Sequence, residues 1–304
     1  MRLLRTCLAV VLLAGPVTGP VLAAGELSVL VDHESGDYGT GLDASTSWLR
    51  VRWTTGGDRV SAWVEGSAIS ADTTTLIPRT IFGPMSGGRH DGGGSMGPGG
   101  GSGPGGGPMG ATLAATGDPL AATTAVDAAT VSESGIGDAR AGITVRLAGG
   151  GVSVHRLDGL AEVKIPLADE TKGLGTGEWD ARFGLAWQYR FWTATGFAGV
   201  GYSVLGDPPG FDLDDVADAW AGIETDPLGS GWALMGWLEG RQAVVDGADD
   251  AASVGVGVTR FGSRQRWRLL GRVGLTDGAA DWGLTLAVSW GVAGKRKDVE
   301  RWLR

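Results

Sequence analysis

The sequence predicts an all-β fold: a single-chain antiparallel transmembrane β-barrel of about 12 strands (10 being the alternative count), with short periplasmic turns and long outer loops. Three observations predict it. Segments such as Trp282-Gly-Leu284-Thr-Leu286-Ala-Val288-Ser-Trp290 place an apolar residue at every second position, the signature of a strand with one oily and one wetter face. The oily faces end in aromatic residues. The connections between segments alternate long and short. A strand in lipid must be apolar outward and is free to be polar inward, which this pattern satisfies.

Residues 1–23 read as a secretory signal peptide, with Arg2 and Arg5 as its basic start, Leu8 to Ala14 as its apolar stretch and Val21-Leu22-Ala23 as its cleavage site. Pro16 and Pro20 make it a poor spanning helix, and no later segment has the ~20 apolar residues that such a helix needs. Cys7, the single cysteine, precedes the apolar stretch, whereas a lipoprotein cysteine would follow it. The mature chain is therefore expected to lack thiols, disulfides and cysteine-based metal sites. Without Arg2 and Arg5 it carries 23 basic and 34 acidic residues, a net charge of −11, which disfavours nucleic acid as a partner. The 56 glycines suit twisted strands turning barrel corners, and the 13 tryptophans suit a membrane interface.

Strands are predicted at 26–32, 46–54, 59–69, 138–147, 152–167, 180–191, 195–205, 217–226, 231–244, 251–261, 265–275 and 281–292, with the barrel spanning 24–294. Odd-numbered connections are long or acidic, and even-numbered ones such as Gly56-Gly57-Asp58 and Gly262-Ser-Arg264 are short. This sets the odd ones outside and the even ones in the periplasm. Trp53, Phe191, Trp192, Trp232, Phe261, Trp267 and Trp290 then form a periplasmic aromatic girdle, with Trp179, Tyr202 and Trp282 as a sparser outer belt.

Charge fills the opposite faces. Arg50 and Arg52 alternate with Leu49, Val51 and Trp53; Arg140 and Arg146 with Ala141, Ile143, Val145 and Leu147. Arg182 and Arg190 alternate with Phe183, Leu185, Trp187 and Tyr189; Arg266, Arg268 and Arg272 with Trp267, Leu269 and Val273. Arg59, Glu65, Glu162, Lys164, Asp218, Glu224, Glu239 and Arg241 complete the candidate lumen. A mid-bilayer Arg facing lipid costs roughly 2–4 kcal/mol, so these residues are expected to face inward. Two readings stay open: Arg and Glu pair into a ladder that fills a narrow barrel, or surplus Arg lines a wet path that favours anions.

Residues 70–137 contain a Gly/Pro tract from Gly83 to Met109 that buries too little to fold, predicting a flexible outer loop. Met85, His90, Asp91, Met96 and Met109 lack the regular spacing of a metal site, and no cofactor is implied. The other outer loops collect acids that could meet divalent cations bound to lipopolysaccharide. Asp169, Lys172, Asp207, Asp212, Asp214 and Asp215, in the loops after strands five and seven, are candidates for gating or ligand contact. In the second of these, Asp207-Pro-Pro-Gly stiffens the chain and stops strand pairing. Lys295 to Lys297 open a basic periplasmic tail, 295–304. His33-Glu34-Ser35 has the local spacing of a lipid-hydrolase pair, but no Asn or Asp is marked out to orient the ring, and the reading is non-enzymatic.

Three segments carry a family resemblance: Ser134-Gly-Ile-Gly-Asp138, Lys164-Ile-Pro-Leu-Ala-Asp-Glu-Thr-Lys-Gly-Leu-Gly-Thr-Gly177, and Gly201 to Asp215 with its Asp-Pro-Pro-Gly turn. Together they resemble the proteobacterial outer-membrane β-barrel transporter family grouped with the phenol-degradation MetA pathway. The resemblance runs from about 132 to 292 and implies a barrel passing small, aromatic or apolar molecules. It brings no catalytic residues. The Gly-rich loop and the residues after Trp290 depart from the family pattern. The expected function is a passive channel for small molecules in a Gram-negative outer membrane, with lipid, lipopolysaccharide and the barrel assembly machinery as partners. The alternative is a non-conducting structural or surface-binding barrel.

Overall fold

In a computed structural model of the chain, residues 25–38, 44–73, 131–149, 153–208, 213–227, 231–244, 248–263 and 265–292 are described. The predicted signal peptide, most of the Gly-rich loop, the basic tail and Asp212 lie outside them. The strands are β1 (Gly25–Gly36), β2 (Ala44–Gly56), β3 (Val60–Thr73), β4 (Val131–Ile136), β5 (Ala139–Gly149), β6 (His155–Ile165), β7 (Asp180–Arg190), β8 (Ala194–Val204), β9 (Val216–Thr225), β10 (Trp232–Arg241), β11 (Ala251–Phe261), β12 (Gln265–Gly274) and β13 (Trp282–Val292).

All pairings are antiparallel, and the sheet closes on itself because β1 bonds both β2 and β13. The β1–β13 seam runs in register from Gly25↔Val292 to Ser35↔Trp282. β4 and β5 share one neighbour: β3 pairs residues 68–73 with β4 and 60–65 with β5. They are two halves of one stave interrupted at Gly137-Asp138, so the barrel has 12 staves. Closure leaves no edge with unpaired backbone groups, which is what hydrocarbon requires.

Alternation sorts the two faces. On β3, Val64 is 56% exposed while its neighbour Glu65 is 4% exposed. The exposed band includes Val51, Ile143, Phe183, Leu185, Val200, Ile223, Leu234, Val256, Leu269 and Leu284, an exterior that only lipid accommodates. At the periplasmic end, His155, Tyr189 and Phe191 form a chain of rings with centroids 4.9 and 4.7 Å apart. There too Arg260 lies over Trp232, 5.4 Å from its centroid, and Trp192 projects freely. Amphipathic rings and a snorkelling guanidinium are suited to that depth.

Several strand boundaries differ from the sequence reading, β6 and β10 being shorter than predicted. β3 continues to Thr73 and β4 begins at Val131, so both ends of the predicted 70–137 loop belong to the wall. Residues such as Asp72, Ser132, Glu133 and Ser134 show no oily alternation; backbone pairing alone makes them strand. The first strand reaches Gly36 and so includes His33, Glu34 and Ser35.

Val256 sits midway along β11 on the lipid face. Val256→Arg is expected to lower stability by about 2–4 kcal/mol, read from urea unfolding in liposomes, whereas Val256→Leu leaves it within error.

Candidate functional site

The inward faces carry acids and bases in register with one another. Arg50 Nη2 meets Asp32 Oδ2 at 2.9 Å, and Thr285 Oγ1 donates to Asp32 Oδ1 at 2.8 Å. Arg52 meets Glu65 at 2.7 Å while lying 4.2 Å from the centroid of Trp63. Arg140 reaches Glu162 at 3.0 Å. Asp158 takes Arg156 at 2.5 Å and Arg146 at 3.9 Å. Arg190 lies 3.6 Å from Asp226, and Arg268 lies 3.8 Å from Glu224, with Thr259 hydrogen-bonded to both. Ser253 donates to Glu239 at 2.7 Å. Arg241, at the end of β10, stands opposite Asp218 of β9 in the register. Arg59 stands apart, exposed in the β2–β3 turn.

Several pairs step over intervening staves, Arg190–Asp226 and Arg268–Glu224 among them. Arg182 on β7 crosses β8 to grip Asp218 on β9 through two bonds, at 3.1 and 2.6 Å. The stave between offers Gly201, where a Cβ would fall 2.5 Å from both Arg182 Nη2 and Asp218 Oδ1. Arg272 on β12 reaches Glu34 on β1 across Gly283 of β13 in the same manner. Arg266 on β12 reaches Glu26 on β1 at 2.9 Å. Glycine at 201 and 283 is therefore a condition of the pairing.

Apolar groups share the lumen. Phe197, Met235, Trp237 and Leu270 pack with Trp220 on the inward faces of β8–β10 and β12. They stand among Asp218, Glu224, Glu239, Arg268 and Arg272 of the same strands, so charge and aromatic volume interleave.

At the outer mouth, the segment between β6 and β7 turns inward. Asp138 Oδ1 accepts the N–H groups of Leu167 and Ala168, each at 3.0 Å. Asp169 caps the short 3₁₀ turn Glu170–Lys172, accepting from Thr171 N at 3.1 Å and Thr171 Oγ1 at 2.6 Å. Those bonds hold its carboxyl below the usual carboxylate range. Gly173 then takes φ 65°, and Leu174, 1% exposed, packs on Trp48 and Ile69. Lys164 Nζ lies 2.6 Å from Asp180, 3.6 Å from Asp138 and 2.9 Å from Thr176 Oγ1.

The remaining outer-loop candidates serve the loops themselves. Lys172 and Asp169 form an exposed pair at 3.9 Å, worth little. Asp207 accepts Leu213 N at 2.9 Å; Asp215 accepts Leu205 N at 3.2 Å and the Tyr202 hydroxyl at 3.1 Å. Asp214 is exposed. Tyr38, just past β1, is buried beside Glu34, and burial pushes its phenol upward. His33 faces outward, its Nδ1 bonded to Ser47 Oγ at 2.9 Å and its ring 5.1 Å from that of Trp282.

Sequence reasoning named Arg59, which lies in a turn, and omitted the buried Arg156 and the acids Glu26, Asp32, Glu34, Asp138, Asp158, Asp180 and Asp226. The period-two rule, carried past residue 32, would have found Glu34. Leu174 was missed; its only signal is a large apolar residue between two loop glycines.

No protein-family model and no curated protein matches the chain, so the family resemblance rests on the three segments that carry it. Among solved structures it is similar to an outer-membrane channel from Pseudomonas putida F1: 11% identity, TM-score 0.59, covering 92% of this chain and 100% of that one. It also matches the transport unit of the autotransporter AIDA-I from Escherichia coli (6% identity, TM-score 0.46, 96% and 97% covered). The translocator domain of NalP from Neisseria meningitidis matches as well (11% identity, TM-score 0.45, 96% and 95% covered). At such identities the likeness is one of fold: the chain is a closed antiparallel β-barrel with the fold of an outer-membrane channel.

Arg182→Met, which leaves the part-buried Asp218 carboxylate with only Arg241 beside it, is expected to destabilise the barrel by less than the roughly 3–5 kcal/mol of a wholly orphaned buried charge. Adding Asp218→Leu should restore little of that loss, since Arg241 then loses its own acid. Urea titration of the two variants in lipid checks both outcomes.

Proposed function

We propose that this barrel is a passive outer-membrane channel for small solutes, with a narrow, wet, charge-paired lumen. The observation that carries the reading is the residual polarity of the interior. Among the described residues, Arg50 Nε, Arg182 Nη1, Glu162 Oε2 and Glu224 Oε2 are buried with no protein hydrogen-bond partner, although each residue is already ion-paired. Leaving one such group dry costs about 1–3 kcal/mol, so donors and acceptors of this kind favour an interior shared with water or polar solute. The outer-membrane channel it resembles in fold agrees with this reading.

The lumen candidates named from the sequence take different parts in this proposal. Arg50, Arg52, Arg140, Arg182, Arg268 and Arg272 sit with acids at hydrogen-bond or ion-pair distance, which weakens the case for a bare cationic path. A paired lumen passes ions of both signs with little preference. The alternative, a non-conducting barrel, is favoured by one observation: Arg50, Arg52, Glu65, Arg140, Glu162 and Arg268 are all buried.

Single-channel recording of the refolded mature chain under a salt gradient separates the two. The channel reading expects small discrete steps with a reversal potential near zero. Arg50→Gln, which leaves Asp32 without its cation, then shifts the reversal potential toward cations. Silence from a folded, heat-modifiable barrel would favour the non-conducting reading.

A further inference from the structure

We propose that the segment between β6 and β7 is the outer gate of this channel, with Leu174 as its closing residue and Lys164 as its latch. The inference rests on the channel reading above. A connecting loop ordinarily runs over the surface, because its backbone needs water. This one turns into the mouth instead, and each inward step is secured by a separate contact.

The path begins at the break in the wall. Where β4 gives way to β5, Asp138 leaves the strand ladder, its carbonyl accepting from Ser67 Oγ at 2.9 Å. Its carboxylate is thereby free to take the first two N–H groups of the loop, Leu167 and Ala168. The 3₁₀ turn capped by Asp169 and the left-handed Gly173 then reverse the chain. Leu174 arrives against Trp48 of β2 and Ile69 of β3, both lumenal and both at most 3% exposed. Gly135 of β4 completes the seat, since a Cβ there would stand 2.7 Å from Leu174 Cδ1.

The return limb is held from below. Lys164, at the end of β6, bonds Thr176 on the loop and pairs with Asp180, the first residue of β7. Asp180 in turn accepts Gly206 N at 3.1 Å, which ties the β8–β9 loop to the same point. One ammonium group therefore joins both limbs of the segment and, through Asp180, its neighbour. Leu174 is held by packing and by one backbone bond within its own turn, its N–H donating to Asp169 O at 3.2 Å, so its release breaks no bond to the barrel wall. A seat of side-chain contacts around a terminal apolar residue, fastened by a single cation, is the arrangement of a closure that can open.

The test uses the full chain refolded in lipid, with Cys7→Ser so that an introduced Ile69→Cys is the only thiol. Two readouts are taken: the rate at which a charged, membrane-impermeant methanethiosulfonate labels Cys at 69, and the open probability in bilayers. In the parent, labelling is slow because Leu174 covers the site. Leu174→Ser and, separately, Lys164→Met are expected to raise the labelling rate about tenfold or more and to raise open probability. Lys164→Arg should keep the parent's behaviour. Heat-modifiability certifies the fold of each, and Leu174→Ala serves if the serine variant fails to fold. Unchanged labelling and unchanged conductance in folded variants would overturn the gate. Labelling that rises while every variant stays silent would overturn it through the channel reading and not through the loop.

Discussion

A charged side chain on a strand of this barrel has one face open to it. Lipid on the outside sets a cost of several kcal/mol on a mid-bilayer guanidinium, so period-two alternation drives every such group into a space one barrel wide. Once there, charges of one sign would repel in a low dielectric, and each needs a partner within reach. The interior of this protein follows from that confinement. Arg50 with Asp32, Arg52 with Glu65 and Arg140 with Glu162 are its direct outcome.

The same confinement explains the distribution of side-chain size. Where Arg182 and Arg272 find acids two staves away, the middle stave is bare, and Gly201 and Gly283 supply that clearance. Between the charges on the inward faces of β8–β10 and β12, aromatic and aliphatic groups take up the space. Polarity and volume are thus distributed around the wall together. The mouth is built differently: the β6–β7 segment combines a capped turn, a left-handed glycine and one buried leucine with the Lys164 contacts.

Much of the fold was legible in the sequence, because alternation is a local signal. Leu49, Val51 and Trp53 set against Arg50 and Arg52 identify strand, face and environment at once. Boundaries beyond the membrane were not legible: Asp72 and Ser132 carry no oily face, and only their backbone pairing makes them strand. Partner choice was hidden for another reason. Which acid meets Arg182 depends on register and on the stave skipped, and Asp218 is 36 residues away in the chain. Leu174 had no period at all to announce it. The acids chosen as loop ligands, Asp169, Asp207 and Asp215, proved to bond their own loops or the residues flanking them, as short polar side chains in turns commonly do.

The stave-skipping pairs also order events in time. Arg272–Glu34 and Arg266–Glu26 join residues 238 and 240 positions apart, and both span β13, the strand that meets β1 at the seam. Neither contact exists in any hairpin or partial sheet, so neither helps the early stages of assembly. Loop-closure entropy must be overcome first, and the reward comes only when the ends of the chain meet. These two bridges therefore slow the escape of a finished barrel more than they speed its formation, making the seam a ratchet: easy to leave half-built, hard to undo once shut.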